Sequence, residues 1–371
     1  MHGRRWTRAF LALVAIACSH SDPFDVTVPA VGPSGPGPDV RLTYNSNQDY
    51  WPTWTADGDG ILYSFIPVGS SPEHRCIGLL PAAGGNGTWQ LCDDRATQDD
   101  SVNSFPAYAL GSDGQLLYVE AVARRGPGST SPAHVTLFLA DTAHPFHRLA
   151  LLTLPTTVSG TTIPWLADIT WTGPNTFYAL GQDFGGAQHC RGCIAIDTLF
   201  PALAVVRGTI TSAGATLELV AGTTGATSYS SAESGASIVF TLRDDRRLFK
   251  VPATGGTVTT AATVTPASNA QLLGVSCRGS TCVVAADPVT LTAIDGGSTL
   301  ASITAGPFEL RGVSLATGAV QVLRTASGIV ATPQISPLSG DVVAQVGGAF
   351  GHIQTFTSSG SDLHLYLGLI Q

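Results

Sequence analysis

Asp49-Tyr-Trp-Pro-Thr-Trp-Thr-Ala-Asp57-Gly-Asp-Gly-Ile-Leu-Tyr63 is the stretch of sequence that decides the fold. It contains an aromatic run around Trp54, an Asp-Gly turn at Asp57, and an apolar run that ends at Tyr63. Two short apolar runs separated by an Asp-Gly turn are typical of a β-hairpin. The stretch therefore predicts two antiparallel strands that are neighbours in one sheet.

The same pattern recurs along the chain in weaker copies. One equivalent position can be chosen in each copy, on the strand before the turn: Trp54, Tyr108, Trp171, Ser231, Val275 and Ile335. Successive positions are on average about 56 residues apart, which accommodates the four strands and the loops of one propeller blade. Residues 39–371 leave room for about six such units. The repeat therefore predicts six four-stranded blades.

The two ends of this region predict how the ring closes. Asp362–Leu369 has the pattern of a third strand, and no further strand follows it. Asp39–Thr43 has the pattern of a fourth strand, and none precedes it. Pairing the two would complete the last blade and remove two open sheet edges. We expect the N-terminal strand to close the propeller.

The repeat resembles the TolB-like, WD40-like (PD40) propeller repeat, whose core reads Pro-x-Trp-Ser-Pro-Asp-Gly. Pro52–Gly58 is the best copy, while Pro106–Gly114 and Pro333–Gly340 are degraded copies. The resemblance implies an all-β chain with a single propeller in an exported bacterial protein.

Composition agrees with an all-β domain. The chain has 371 residues, of which 44% are hydrophobic and 12% charged, with 42 Gly and 23 Pro. Frequent Gly and Pro favour short strands joined by tight turns. The net charge of −8 argues against nucleic-acid binding, because such proteins carry a clustered basic surface.

The N-terminus predicts export. Residues 1–17 have a basic start and a short apolar run, as in a secretory signal peptide. Ala15-Ile-Ala-Cys18 resembles a bacterial lipobox, which implies that Cys18 is lipidated and anchors the protein in a membrane. The alternative is an ordinary signal peptide with an incidental cysteine. Residues 18–38 are rich in Pro and Gly and are predicted to be a tether, with residues 39–371 forming the propeller.

The remaining cysteines lie in three close pairs along the chain: Cys76 and Cys92, Cys190 and Cys193, Cys277 and Cys282. Six cysteines allow fifteen connectivities, and the spacing favours three local disulfides in an oxidising compartment. A metal site at His189-Cys190-Arg-Gly-Cys193 is the alternative, but zinc would need a second pair of ligands there.

Acidic and histidine-rich stretches are candidates for metal binding. Asp57 and Asp59 belong to an ordinary hairpin turn, and His144 and His147 flank Pro145 in a polar segment. The acidic stretch that contains Asp93, Asp94, Asp99 and Asp100 could also supply calcium ligands. Six-bladed lactonases hold a central calcium ion, and a likeness to them would make candidate ligands of Asp99, Asp100, Asn103 and Asp168. No spacing selects this set, and no Gly-x-Ser-x-Gly motif is present. We therefore predict no catalytic residue, no metal ligand and no cofactor.

These features predict a cell-envelope lipoprotein that faces the periplasm or the cell surface. A rigid ring with variable loops suits the binding of a protein or a small molecule on a propeller face without catalysis. A metal-dependent hydrolase or lactonase with a site in the channel is one alternative. A purely structural component of an envelope complex is another.

Overall fold

The structure of the chain is a computed structural model. It describes residues 39–370 except for 44–48, 66–75, 86, 88, 93–100, 125–131, 143, 164, 183–201, 243, 266–269, 295–297, 304–306, 327, 348, 351–352 and 355–360. The signal peptide and tether predicted at 1–38, with Cys18, lie outside the described residues and stay predictions.

The chain forms a six-bladed β-propeller of four-stranded antiparallel sheets, as the repeat predicts. The first three blades follow the chain from the innermost strand outward. Blade 1 has β2 (Asp49–Trp54), β3 (Gly60–Phe65), β4 (Cys76–Pro81) and β5 (Trp89–Leu91). Blade 2 has β6 (Ser101–Leu110), β7 (Gln115–Arg124), β8 (Pro132–Asp141) and β9 (His144–Leu154). Blade 3 has β12 (Trp165–Gly173), β13 (Thr176–Gln182), β14 (Ala202–Thr211) and β15 (Gly214–Leu219).

Blades 4 and 5 continue in the same order. Blade 4 has β16 (Ala226–Ala232), β17 (Ser237–Leu242), β18 (Arg247–Pro252) and β19 (Thr259–Thr263). Blade 5 has β20 (Gln271–Arg278), β21 (Thr281–Asp287), β24 (Phe308–Ser314) and β25 (Val320–Ala326). Among the described residues, the helical structure is a single 3-10 turn at Glu233–Gly235, and no helix there could cross a membrane.

Blade 6 is closed by the N-terminal strand, which confirms the predicted closure. Its order from the channel outward is β26 (Val330–Ile335), β27 (Val342–Gly347), β30 (Ser361–Tyr366) and β1 (Asp39–Arg41). The strand β1 pairs antiparallel with β30, with Val40 opposite Leu365. The Leu42 amide then donates to the Leu363 carbonyl at 2.7 Å. The ring therefore has no open seam between its first and last blades.

The described residues also form three short hairpins outside the four-stranded blades. The hairpin of β10 (Thr156–Val158) and β11 (Thr161–Ile163) lies between blades 2 and 3. The hairpin of β22 (Val289–Ile294) and β23 (Ser298–Ile303) is inserted after the second strand of blade 5. The hairpin of β28 (Ala349–Phe350) and β29 (Ile353–Gln354) occupies the same place in blade 6.

All six positions chosen from the repeat lie on innermost strands, but two are out of register. Each innermost strand has a bulge, and Trp54, Tyr108, Trp171 and Ile335 are the second paired residues after it. By the same count, the equivalents in blades 4 and 5 are Tyr229 and Ser276. The chosen Ser231 and Val275 are therefore wrong by two residues and one residue. Without the Pro and Trp of the motif, the sequence offers nothing that marks the bulge.

The hydrophobic core lies between the blades. Among the described residues there are six clusters, each formed by the facing sides of two neighbouring blades. Between blades 3 and 4, for example, Leu180 and Val205 pack with Ile238 and Phe240, all of them buried. Burial of both faces explains why the strands contain continuous apolar runs rather than a strict alternation.

The two ends of the ring differ in their connections. The turn face is the end where innermost strands meet second strands, at 55–59, 111–114, 174–175, 233–236, 279–280 and 336–341. The loop face is the opposite end, where second strands end and third strands begin. In five of the six blades, more residues separate the second and third strands than separate the first and second. Asp39 begins β1 at the level of Tyr366, Val342 and Ile335, at the turn face.

In the part of the chain that the structure describes, two disulfides connect neighbouring strands. Cys76 is bonded to Cys92 in blade 1, and Cys277 is bonded to Cys282 across the hairpin of blade 5. Cys190 and Cys193 lie outside the described residues, so their pairing stays a prediction. The bonded pairs are local in sequence.

Candidate functional site: the central channel

The centre of the ring is a channel with a cavity of about 480 Å³. All six innermost strands contribute to its wall, from the bulges to the turn face. Its volume falls within the range of about 300–1,000 Å³ that small-molecule sites occupy. Innermost strands have one edge without a strand partner, so their backbone N–H and C=O groups need other partners.

Two tryptophans satisfy carbonyl groups on neighbouring innermost strands. Trp54 Nε1 donates to the Gln334 carbonyl of blade 6 at 2.9 Å. Trp171 Nε1 donates to the Ala109 carbonyl of blade 2 at 3.1 Å. Both side chains line the cavity and are half-buried. The bonds hold both indole rings in place at the channel wall.

Two tyrosines donate hydrogen bonds to carbonyl groups of neighbouring innermost strands at the bulges. Tyr108 donates its hydroxyl to the Trp51 carbonyl of blade 1 at 2.8 Å, and Tyr229 donates to the Asp168 carbonyl of blade 3. Trp51 and Asp168 have φ of 51° and 48°, a conformation uncommon for residues other than glycine. Burial raises the pKa of Tyr229 well above its ordinary value, so the hydroxyl stays a donor.

Serines bridge the other blade interfaces. Ser228 Oγ accepts from the Val275 amide at 3.1 Å, which joins blades 4 and 5. Ser276 Oγ accepts from the Ile335 amide at 3.0 Å, which joins blades 5 and 6. Together with the aromatic bonds, a side chain on an innermost strand bridges every blade interface.

Among the described residues that line the cavity, two carry charge. Asp168 lies at the bulge of blade 3, and Arg278 lies at the turn face of blade 5. The Arg278 guanidinium donates to the carbonyls of Ser336 and Ser339, so it connects the hairpins of blades 5 and 6. The charge on Arg278 is therefore directed at protein carbonyl groups.

Neutral polar side chains line the rest of the wall. Thr53, Ser231 and Gln334 lie in blades 1, 4 and 6, and their side-chain polar atoms make no hydrogen bond within the described structure. Thr170 in blade 3 is exposed and is 3.5 Å from the Tyr229 hydroxyl. These groups remain available to a ligand or to water.

The candidates considered from the sequence are not gathered into a metal site by the described residues. Asp57 Oδ1 accepts from Thr55 Oγ1 and the Asp59 amide, which is a local turn. Of the lactonase-like set, Asp168 lines the channel, and Asn103 lies on β6. Asp93, Asp94, Asp99 and Asp100 lie outside the described residues. No group of three His, Cys, Asp or Glu side chains able to hold a metal occurs in the described part of the chain.

Sequence reasoning missed Tyr229, Ser276 and Gln334. Tyr229 and Ser276 are each the second paired residue after a bulge, and bulge positions are visible only in the register of the sheet. Gln334 follows Pro333 in a degraded copy of the repeat. The motif residue Trp54 marks the repeat in the sequence, and its indole also forms part of the channel wall.

Comparison with known proteins supports the fold. No protein-family model matches the sequence, and no curated protein matches it either. A gluconolactonase from Xanthomonas campestris has a TM-score of 0.51 at 11% identity, covering 89% of this chain and 88% of that one. A luciferin-regenerating enzyme has a TM-score of 0.50 at 10% identity, covering 90% and 96%. TolB from Acinetobacter baumannii has a TM-score of 0.44 at 10% identity, covering 86% and 63%. At these identities the first two similarities concern the β-propeller fold alone.

Proposed function

We propose that this protein is an exported, lipid-anchored binding protein that holds a ligand in its central channel without catalysing a reaction. The observation that carries this proposal is the channel wall. It combines fixed aromatic rings with neutral hydrogen-bonding groups, and its described residues contain no cluster of acidic or histidine side chains. Preformed pockets with a few convergent polar groups are typical of binding sites.

The place where the predicted tether joins the ring fits an anchored protein. Residue 39 begins β1 at the turn face, so a chain attached to a membrane through Cys18 would join the ring there. Twenty residues can span at most about 70 Å when fully extended. Such a tether would allow the channel to stand away from the membrane surface.

Substitution of the predicted lipid-bearing residue tests the anchor. Cys18→Ser removes the only atom to which the acyl chains could be attached by the predicted route, so we expect the protein to move from the membrane to the soluble fraction. Fractionation with immunodetection measures this. Ser19→Ala is the matched control and should stay with the membrane. Membrane retention of the Cys18→Ser protein would refute the lipoprotein proposal.

Filling the channel tests where the ligand binds. The purified full-length protein in detergent is screened by thermal unfolding against small molecules extracted from the cell envelope. A ligand of the native state raises the free energy of unfolding by RT ln(1 + [L]/Kd). We expect Ser231→Trp, which fills the channel, to abolish this rise. The control Thr260→Trp, at an exposed position on β19, should preserve it.

Asp168 favours a second candidate function, hydrolysis in the channel. Among the described residues that line the cavity, Asp168 is the one that carries a carboxylate. The fold is also similar to that of a gluconolactonase. Hydrolysis of gluconolactone by the wild-type protein, with loss of the activity in Asp168→Asn, would favour the enzyme and contradict the non-catalytic proposal.

A further inference from the structure

We infer that the channel ligand is an uncharged saccharide, an inference that rests on the channel-binding function proposed above. A sugar ring offers apolar C–H faces and a rim of hydroxyl groups. Its binding site therefore needs aromatic surfaces together with neutral donors and acceptors. The described part of the channel wall contains both kinds of group around one cavity.

The aromatic surfaces are those of Trp54 and Trp171. Both are half-buried at the cavity wall, and each donates its indole N–H to a backbone carbonyl of a neighbouring blade. With the polar edge of each ring bound to protein, the apolar remainder is what a ligand can contact. Fixed rings also lose little conformational entropy on binding, so contact with a C–H face is favourable.

The neutral hydrogen-bonding groups surround the same cavity. Thr53 and Ser231 each offer a hydroxyl, and Gln334 offers an amide, from blades 1, 4 and 6. None of these three side chains has a hydrogen-bond partner in the described structure. Hydroxyl and amide groups both donate and accept, as sugar hydroxyls do. Their spacing around the ring suits a ligand with hydroxyl groups on several sides.

The positive charge at the wall argues against an anionic ligand. Among the described residues that line the cavity, Arg278 carries the positive charge. Its guanidinium already donates to two backbone carbonyls of blade 6. An anion would therefore have to displace these bonds. A charge taken out of water without a partner is strongly unfavourable. A neutral ligand avoids this cost.

The experiment compares neutral and charged tetrasaccharides on the full-length protein in detergent. The neutral probes are maltotetraose, cellotetraose and tetra-N-acetylchitotetraose, and the charged probes are tetragalacturonate and deacetylated chitotetraose. Calorimetry gives Kd, and tryptophan fluorescence reports contact with Trp54 and Trp171. We expect at least one neutral probe to bind, with each charged probe at least tenfold weaker.

Matched variants locate the contact. Thr53→Val removes a hydroxyl at nearly constant shape and should weaken the neutral probe about three- to tenfold, the effect of one neutral hydrogen bond. Thr260→Val on the outer strand β19 should leave Kd unchanged. Equal thermal unfolding midpoints of both variants would show that neither effect comes from misfolding.

The outcomes separate this inference from the proposed function. If no neutral probe binds, or a charged probe binds as tightly, the saccharide inference is overturned. The channel function then still stands if an envelope ligand stabilises the wild type and not Ser231→Trp. If Ser231→Trp leaves the binding of every ligand intact, both proposals fail.

Discussion

At the scale of single residues, side chains that cross from one blade to the next are the main polar feature of the channel. Tyr229 shows why they are needed. Its hydroxyl donates to the carbonyl of Asp168, a residue with a left-handed backbone conformation at the bulge of blade 3. A backbone carbonyl left without a partner in a buried place costs free energy.

Tyr229→Phe should therefore destabilise the propeller. We expect the free energy of unfolding to fall by about 1–2 kcal/mol, because one hydrogen bond to a backbone carbonyl is lost. Chemical denaturation measures the change. Tyr63→Phe is the matched control, since the Tyr63 hydroxyl makes no hydrogen bond in the described structure, and its effect should be close to zero. Equal losses in the two variants would contradict the role given to Tyr229.

Asp287 connects blades 5 and 6 in a buried place. Its Oδ2 accepts from the Val330 amide at 2.8 Å, while its Oδ1 is buried without a partner. Burial raises the pKa of this carboxyl well above the ordinary value of 3.8, and this effect outweighs the hydrogen bond from the Val330 amide, which lowers the pKa. The folded protein thus retains a proton that the unfolded chain loses near pH 4.

The stability of the wild type should therefore fall, relative to Asp287→Asn, as pH rises above about 4. The folded state binds one more proton than the unfolded state in this range, so the difference changes by about 1.4 kcal/mol per pH unit. The change stops at the pH where the folded protein loses the proton. Asn retains an acceptor for the Val330 amide and removes the titration. Parallel pH profiles of unfolding for the two proteins would show that Asp287 does not titrate in this way.

At the scale of elements, disulfides that close short loops stabilise individual blades. The Cys76–Cys92 bond joins the outer two strands of blade 1, with a sequence separation of 16. The Cys277–Cys282 bond closes one hairpin, with a separation of 5. In the chain-entropy account, a cross-link restricts the unfolded chain more when its loop is longer.

The two disulfides should therefore differ in their contribution to stability. Replacing both cysteines by alanine should cost about 3 kcal/mol for Cys76 and Cys92, and about 2 kcal/mol for Cys277 and Cys282. Denaturant titration of the two double variants under oxidising conditions measures both values. A larger loss at the hairpin would mean that local packing, rather than loop length, determines the contribution.

At the scale of the whole molecule, closure of the ring depends on the short strand β1. Leu42 directly follows this strand, has a relative exposure of 1%, and packs in the cluster between blades 6 and 1. On the same segment, Arg41 forms an ion pair with Asp362 at 2.7 Å but is 40% exposed. The contributions of a buried side chain and of an exposed ion pair to stability can therefore be compared on one segment.

Leu42→Ala should destabilise the whole ring. We expect a loss of about 2–5 kcal/mol, because the substitution leaves a cavity in a buried cluster. Arg41→Ala should cost less than about 1 kcal/mol, because exposed ion pairs contribute little. Thermal and denaturant unfolding followed by circular dichroism measure both. Similar small losses in both variants would show that closure by the N-terminal strand does not limit stability.

The amino-acid sequence by itself determined the class, the number of blades and the closure of the ring. The positions of strands depend on short apolar runs, turn residues and a period, all of which can be read along the chain. Trp54, Tyr108, Trp171 and Ile335 were placed correctly for this reason. Asp39–Thr43 could be assigned to the last blade because it has the pattern of a fourth strand, and the last blade lacked one.

Only the tertiary structure decided which residues form the channel wall. A bulge adds one residue to each innermost strand at a position that the sequence does not mark, so Ser231 and Val275 were chosen where Tyr229 and Ser276 are equivalent. Thr53, Ser231 and Gln334 come from three blades far apart in sequence, and no local pattern relates them. Their proximity follows from closing the ring, because only closure brings six separate strand edges around one cavity.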